Sequence, residues 1–126
     1  MIRRDFLRTA LLSTALALAA IAPAHAASIY DANVANRLTS LTAAQKQQVL
    51  AITTKSKTNM LAVMQKYGID PNGTPQFNLL QKAGNELQAV QRAERKEMMG
   101  VLDKAQMKQY DAIINETSAR VRKAAQ

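Results

Sequence analysis

Two glutamates three residues apart are the first place in the sequence where acid–base chemistry could reside. Glu94 and Glu97 would face the same side of a helix, and paired carboxylates can act as general acid and general base. They lie in the segment RAERKEMM, beside Arg92, Arg95 and Lys96. Cations at this helical spacing favour a solvated, salt-bridged surface over a catalytic pair.

The N-terminal residues have the anatomy of an export signal. Three arginines precede an apolar run at 10–22, and a small-x-small cleavage site ends at Ala26. The segment RRDFLR resembles a twin-arginine signal, which carries folded proteins, and a general secretory signal is the alternative. We therefore expect residues 1–26 to be cleaved and residues 27–126 to form one helical domain in the periplasm.

Cleavage after Ala26 would remove the one histidine, His25, and the chain has no cysteine. Nucleophilic catalysis of the Ser-His-Asp or Cys-His kind needs a histidine base or a cysteine nucleophile. Zinc sites use cysteine, histidine and carboxylate ligands, and two of these three types are missing. We therefore expect a protein that is not an enzyme and that holds no cofactor or metal.

Methionine thioethers are the remaining soft ligands, and they could bind Cu(I). Five methionines follow the signal, namely Met60, Met64, Met98, Met99 and Met107. Met60 and Met64 lie one turn apart on an otherwise apolar stripe, which favours a core or an adaptable binding surface. Copper binding or copper resistance is therefore a minor hypothesis.

The charge balance indicates the kind of partner. Residues 27–126 hold 14 of the 17 Lys and Arg residues and 8 of the 9 Asp and Glu residues, a net charge of +6. No later run of about 18 apolar residues follows, so we expect no membrane span. In an exported protein this charge points to acidic clients, lipid headgroups or solubility, and not to nucleic acid.

The composition predicts an all-α fold, because Ala, Gln, Lys, Leu and Met dominate and no segment alternates as a strand would. Four helices are expected, one short and three longer. The short one covers about 32–38, with Asp31 as its N-cap, and the second runs from Thr42 to Gly68. The third begins at Thr74 and Pro75 and ends near Gly100, and the fourth follows Asp103. Gly84, inside the third helix, indicates a close crossing, a bend or a tolerated glycine. Such long helices leave part of their apolar stripes exposed or paired with another chain.

Two short motifs precede the second and fourth helices. LTAAQ at 41–45 places Leu41 before the N-cap, Thr42 at the N-cap and Gln45 three residues later, which is a capping box. LDKAQ at 102–106 repeats the device with Leu102, Asp103 and Gln106. Aspartate caps as well as threonine does. We therefore interpret these six residues as helix-starting residues.

Two such elements in a small exported helical chain resemble the Spy/CpxP family of periplasmic proteins, also called the LTxxQ-motif family. The resemblance covers about residues 38–119, with LTAAQ matching in full and Asp103 replacing threonine in the second motif. It implies a cradle-shaped homodimer, built from long antiparallel helices that coil around each other. The concave face of that cradle would carry apolar and basic residues.

The same resemblance implies a function. Family members include an ATP-independent chaperone that suppresses aggregation of unfolding envelope proteins, and we expect that activity here. The alternatives are a regulator that binds the periplasmic domain of a stress-sensing kinase and a metal-responsive relative, whose histidine ligands the cleaved chain lacks. Apolar and basic residues suit unfolding, negatively charged clients, and the candidates for client binding are Met60, Met64, Lys57, Arg92, Arg95, Lys96 and Met99.

Overall fold

The computed structural model describes residues 28–126, and these residues form an all-α fold. Its four helices are α1 (Val34–Arg37), α2 (Ala43–Tyr67), α3 (Phe77–Met99) and α4 (Lys104–Ala124). The prediction of one short and three longer helices is therefore confirmed. None of these helices combines the length and the apolar character needed to cross a bilayer. The predicted export signal and its cleavage site lie outside the described residues.

Helix α2 begins and ends at the residues that the sequence predicts. The Thr42 side chain accepts a hydrogen bond from the Gln45 backbone, and the Gln45 side chain accepts one from the Thr42 backbone. At the other end Gly68 has a φ of 74°, a left-handed conformation that glycine adopts at little cost. The 25 residues between them make a helix about 37 Å long.

The predicted starts of α1 and α3 are wrong. The side chain of Asp31 caps no helix, because it accepts a hydrogen bond from the backbone N–H of Asn33, and α1 starts only after that turn. Helix α3 starts at Phe77, after Gln76 and without a side-chain cap, although Thr74 and Pro75 carry the sequence signal. Pro75 is buried in the loop that precedes α3 and is not the first residue of the helix.

Helices α2 and α3 form an antiparallel hairpin. Two ion pairs along one edge show which residues of the two helices lie opposite each other. The ammonium of Lys55 is 3.1 Å from Glu97, and that of Lys66 is 3.1 Å from Glu86. Exposed pairs of this kind contribute little stability. Two apolar clusters supply more, because burying a large apolar side chain contributes about 1.5–3 kcal/mol.

The two clusters occupy opposite ends of the hairpin. The first includes Val49 and Met98 of the hairpin, Leu38 beside α1, and Tyr110 and Ile113 of α4. The second lies near the loop between α2 and α3 and is built on Met64, Ile69 and Ala83. The fold therefore has a thicker core where all four helices meet and a thinner one where only the hairpin and the N-terminal segment contribute.

The N-terminal segment, residues 28–33, is held by contacts with three distant parts of the chain. The Ser28 hydroxyl donates to the Pro71 carbonyl at 2.6 Å. The Arg120 guanidinium of α4 donates to the backbone carbonyl of Ile29 at 3.0 Å. Lys57 of α2 lies 3.7 Å from the Asp31 carboxylate. These contacts attach the N-terminal segment to α2, to the loop that follows α2 and to α4.

Candidate functional site

The two repeated motifs contact each other. Gln45 Nε2 donates to Gln106 Oε1 at 3.0 Å and to the Val101 carbonyl at 3.0 Å. In return Gln106 Nε2 donates to the Ser40 carbonyl at 3.1 Å. Gln45 thus bonds the carbonyl two residues before Asp103, the N-cap of α4. Gln106 bonds the carbonyl two residues before Thr42, the N-cap of α2. We call the set Thr42, Gln45, Asp103 and Gln106 the motif clamp.

Each glutamine of the motif clamp also completes its own capping box. The Asp103 carboxylate accepts from the Gln106 backbone N–H at 2.8 Å, and Gln106 Oε1 accepts from the Asp103 N–H at 3.0 Å. Gln106 is only 4% exposed, so its polar groups need these partners. The clamp therefore fixes where α2 and α4 begin and how they lie relative to each other.

Sequence reasoning identified both capping boxes and missed their mutual contact. The signal was present in the sequence, because both motifs place glutamine at the same position relative to the N-cap. Two glutamines that each leave an amide N–H₂ group free after capping are suited to bond across an interface. Only the antiparallel hairpin, which returns α3 to the start of α2, shows that these amides meet.

The expected solvated pair Glu94 and Glu97 is divided between two environments. Glu97 is partly exposed and pairs with Lys55. Glu94 is only 7% exposed, so the expectation of a solvated surface is wrong for this residue. Its carboxylate accepts a hydrogen bond from the Tyr110 hydroxyl at 2.5 Å because α4 crosses α3 at this point.

Tyr110 is fully buried and is hydrogen-bonded on both sides. Its hydroxyl accepts from Gln91 Nε2 at 2.7 Å while it donates to Glu94. Burial, followed by the hydrogen bond and the charge of Glu94, raises the pKa of Tyr110 well above its usual range. The hydrogen bonds of this network are satisfied within the fold. A shallow cavity of about 310 Å³ lies elsewhere, between the N-terminal segment, Arg37 and Arg120.

The methionines of α2 belong to the second apolar cluster. Met64 is 1% exposed, and Met60 packs against the same cluster. A client on the protein surface would reach Met60 more readily than Met64. Within residues 28–126, no group of three or more His, Cys, Asp or Glu residues could hold a metal ion.

The candidates on α3 lie along its last two turns and differ in their partners. Arg95 forms two hydrogen bonds of 2.9 Å with the Asp111 carboxylate of α4, and this contact holds the pKa of Asp111 below its usual range. Met99 is 57% exposed, and its sulfur lies 3.5 Å from Arg95 Nη1. Arg92 and Lys96 are exposed and have no carboxylate partner among residues 28–126. Arg92, Lys96 and Met99 are therefore free to meet a partner.

Every side-chain carboxylate of residues 28–126 is engaged within the fold. Five form ion pairs, Glu94 binds Tyr110, Asp103 caps α4, and Asp70 accepts from the Asn72 backbone. Eight cations of the same range have no such partner: Lys46, Lys82, Arg92, Lys96, Lys104, Lys108, Arg122 and Lys123. The excess positive charge is therefore displayed on the outer faces of α2, α3 and α4.

Four large apolar side chains are exposed on the hairpin helices. They are Leu50, Leu61, Phe77 and Met99, with exposures of 46, 40, 56 and 57%. Leu50 and Leu61 share one face of α2, since eleven residues are close to three full turns. The hairpin thus presents apolar side chains and uncompensated cations on the same helices.

In comparisons with known proteins, no protein-family model, no curated protein and no solved structure matches the chain.

Proposed function

We propose that the protein is an exported, ATP-independent chaperone that binds unfolding envelope proteins in the periplasm and prevents their aggregation. The observation that carries this proposal is the exposure of large apolar side chains on helices that also display uncompensated cations. Leu61 and Phe77 are exposed on α2 and α3, and Arg92 has no carboxylate partner among residues 28–126.

The charge would attract clients from a distance. Unfolding proteins with net negative charge are drawn to a positive surface, and the attraction weakens as salt is added. Five of the eight side-chain carboxylates of residues 28–126 are paired with cations, so the eight unpaired cations outnumber the three remaining carboxylates and leave a positive surface. Association is therefore expected to be fast at low ionic strength and slower at high ionic strength.

Short-range apolar contact would then hold the client. Leu50 and Leu61 are separated by about 16 Å along α2, with threonines and Lys57 between them. An interrupted apolar face of this kind buries little area for each client segment, so contacts are weak and reversible. Weak contact suits a chaperone that releases its clients without nucleotide hydrolysis.

The aggregation of several unrelated unfolding proteins, at near-stoichiometric ratios of chaperone to client, tests the proposal. The protein should slow light scattering by all of them. The variant Leu50→Gln, Leu61→Gln should lose this effect, while the matched variant Ala51→Gln, Ala62→Gln, which changes exposed residues elsewhere on α2, should keep it. A protein that leaves all the clients to aggregate overturns the proposal.

A mass measurement on the same samples tests the homodimer that the family resemblance implies. A separate binding experiment tests the alternative function. Tight, saturable binding to one sensor-kinase domain, without general suppression of aggregation, would identify the protein as a regulator.

A further inference from the structure

One end of the fold gathers three helix termini. Gln45 Nε2 reaches the Val101 carbonyl at 3.0 Å, which brings the start of α2, the end of α3 and the start of α4 together. We call this the motif end. The opposite end of the hairpin carries the loop between α2 and α3.

Four lysines surround the motif end. They are Lys46 of α2, Lys96 of α3, and Lys104 and Lys108 of α4, all of them exposed. Of the nearby carboxylates, Glu97 pairs with Lys55, while Asp103 caps α4 through a backbone N–H and keeps its charge, so the positive charges at the motif end outnumber the negative ones. The four ammonium groups thus have no carboxylate partner among residues 28–126.

Two of these lysines are placed where they disfavour the helices that carry them. Lys46 and Lys104 lie in the first turns of α2 and α4, where the helix dipole favours negative charge. Neither first turn holds an acidic residue, and the N-cap Asp103, directly before Lys104, offsets this charge at α4 alone. Because the positive charge of these two lysines does not stabilise the helices, we infer that it serves to bind a negatively charged partner.

Exposed apolar side chains lie beside two of the four lysines. Leu50 is one turn after Lys46 on α2, and it is 46% exposed. Met99 is three residues after Lys96 on α3, and it is 57% exposed. Lysine next to an exposed apolar residue is the arrangement that suits a lipid surface, with the ammonium at the phosphates and the apolar group just below them.

We propose that the motif end docks the protein on the surface of a bilayer with anionic headgroups. The lysines come from three different helices and are all exposed. Mobile headgroups can arrange themselves around such scattered cations, and Leu50 and Met99 would enter the interfacial region. The docking is peripheral, since no helix of residues 28–126 can cross the bilayer. It does not depend on the proposed chaperone activity.

Vesicle cosedimentation tests the proposal on the chain from Ala27 onward. This chain contains all the described helices and both apolar clusters, and its helical circular dichroism is checked first. It should bind vesicles of phosphatidylcholine mixed with phosphatidylglycerol and leave pure phosphatidylcholine vesicles unbound. Raising the salt concentration should release it.

A pair of variants with equal charge identifies the surface. Lys46→Gln, Lys104→Gln, Lys108→Gln removes three charges at the motif end, and binding should fall on the order of a hundredfold, because each lysine near an anionic surface contributes about fivefold. Lys82→Gln, Arg122→Gln, Lys123→Gln removes three charges away from that end and should bind nearly as the wild type does.

Several results would overturn the proposal. Equal losses in the two variants would show attraction by net charge alone. Absence of binding to the mixed vesicles would exclude a lipid partner. If soluble polyglutamate bound through the same three lysines while vesicles did not, the motif end would be a site for acidic protein segments. None of these results bears on suppression of aggregation, which is measured separately.

Discussion

The side-chain amide of Gln45 donates a hydrogen bond to the side-chain oxygen of Gln106 over 3.0 Å, across 61 positions of sequence. That same oxygen accepts from the backbone of Asp103 at 3.0 Å. One oxygen atom thus serves both the local cap of α4 and the contact with α2. Loss of either glutamine should affect both helix starts.

A double-mutant cycle on the motif clamp tests this coupling. Gln45→Ala and Gln106→Ala should each lower the free energy of unfolding by about 1–3 kcal/mol, because buried partners lose their hydrogen bonds. The double variant should lose less than the sum, with a coupling energy of about 0.5–3 kcal/mol in urea unfolding. Gln48→Ala, at an exposed position on α2, serves as the control. Strict additivity would contradict the clamp.

Two threonines with a capping signal in the sequence, Thr42 and Thr74, offer a second test. Thr42→Ala should lower the free energy of unfolding by about 1 kcal/mol, because the backbone N–H of Gln45 loses its acceptor. Thr74→Ala should change it little, since Thr74 caps no helix. Client binding per folded molecule should survive in both variants. A stable Thr42→Ala protein that no longer binds clients would place the first motif at the binding surface.

The sequence predicted helix starts well where a side chain could complete a reciprocal cap, at Thr42 and Asp103, because a capping box is a local structure. It failed at Thr74, where the capping signal is present but Pro75 lies buried in the loop and α3 starts at Phe77. It also failed for Glu94, since a charged residue becomes buried only if another helix brings a partner such as Tyr110. The motif clamp needed the same kind of long-range information.

Gly84 provides a third test, and it resolves a choice that the sequence left open. A β-carbon added at this position would meet no atom within 4 Å, so no helix crosses closely there. Gly84→Ala should therefore raise the free energy of unfolding by about 0.5–1 kcal/mol through helix propensity. Gly68→Ala should lower it, because Gly68 has a φ of 74°. Thermal unfolding of both variants checks the opposite signs.

The buried Tyr110 makes the free energy of unfolding fall as the pH rises through the alkaline range. Because the pKa of Tyr110 is raised in the folded protein, its contribution to stability is fully present below about pH 10, the pKa of unfolded tyrosine. The contribution is lost as the pH rises from there toward the raised value. Tyr110→Phe should show a shallower loss of stability with pH over this window, measured by urea unfolding.

The same variant should also be less stable at neutral pH. Tyr110→Phe removes the donor to Glu94 and the acceptor for Gln91, which should cost about 1–3 kcal/mol. Tyr67→Phe is a matched change with a smaller expected cost, since Glu86 keeps its contact with Lys66 at the exposed edge of the hairpin. Equal costs would contradict the special environment of Tyr110.

The contact between Arg120 and the Ile29 carbonyl joins two residues that are 91 positions apart in the sequence. The hairpin of α2 and α3 depends on shorter separations, such as the 20 positions between Lys66 and Glu86, and its loops close at low entropic cost. The contact of the N-terminal segment with Arg120 can form only after α4 is in place, whereas its contacts with Pro71 and Lys57 need only the hairpin and its loop. We therefore expect the bond between Arg120 and the first residues of the domain to form late in folding, directly beside the leader that the sequence predicts will be removed.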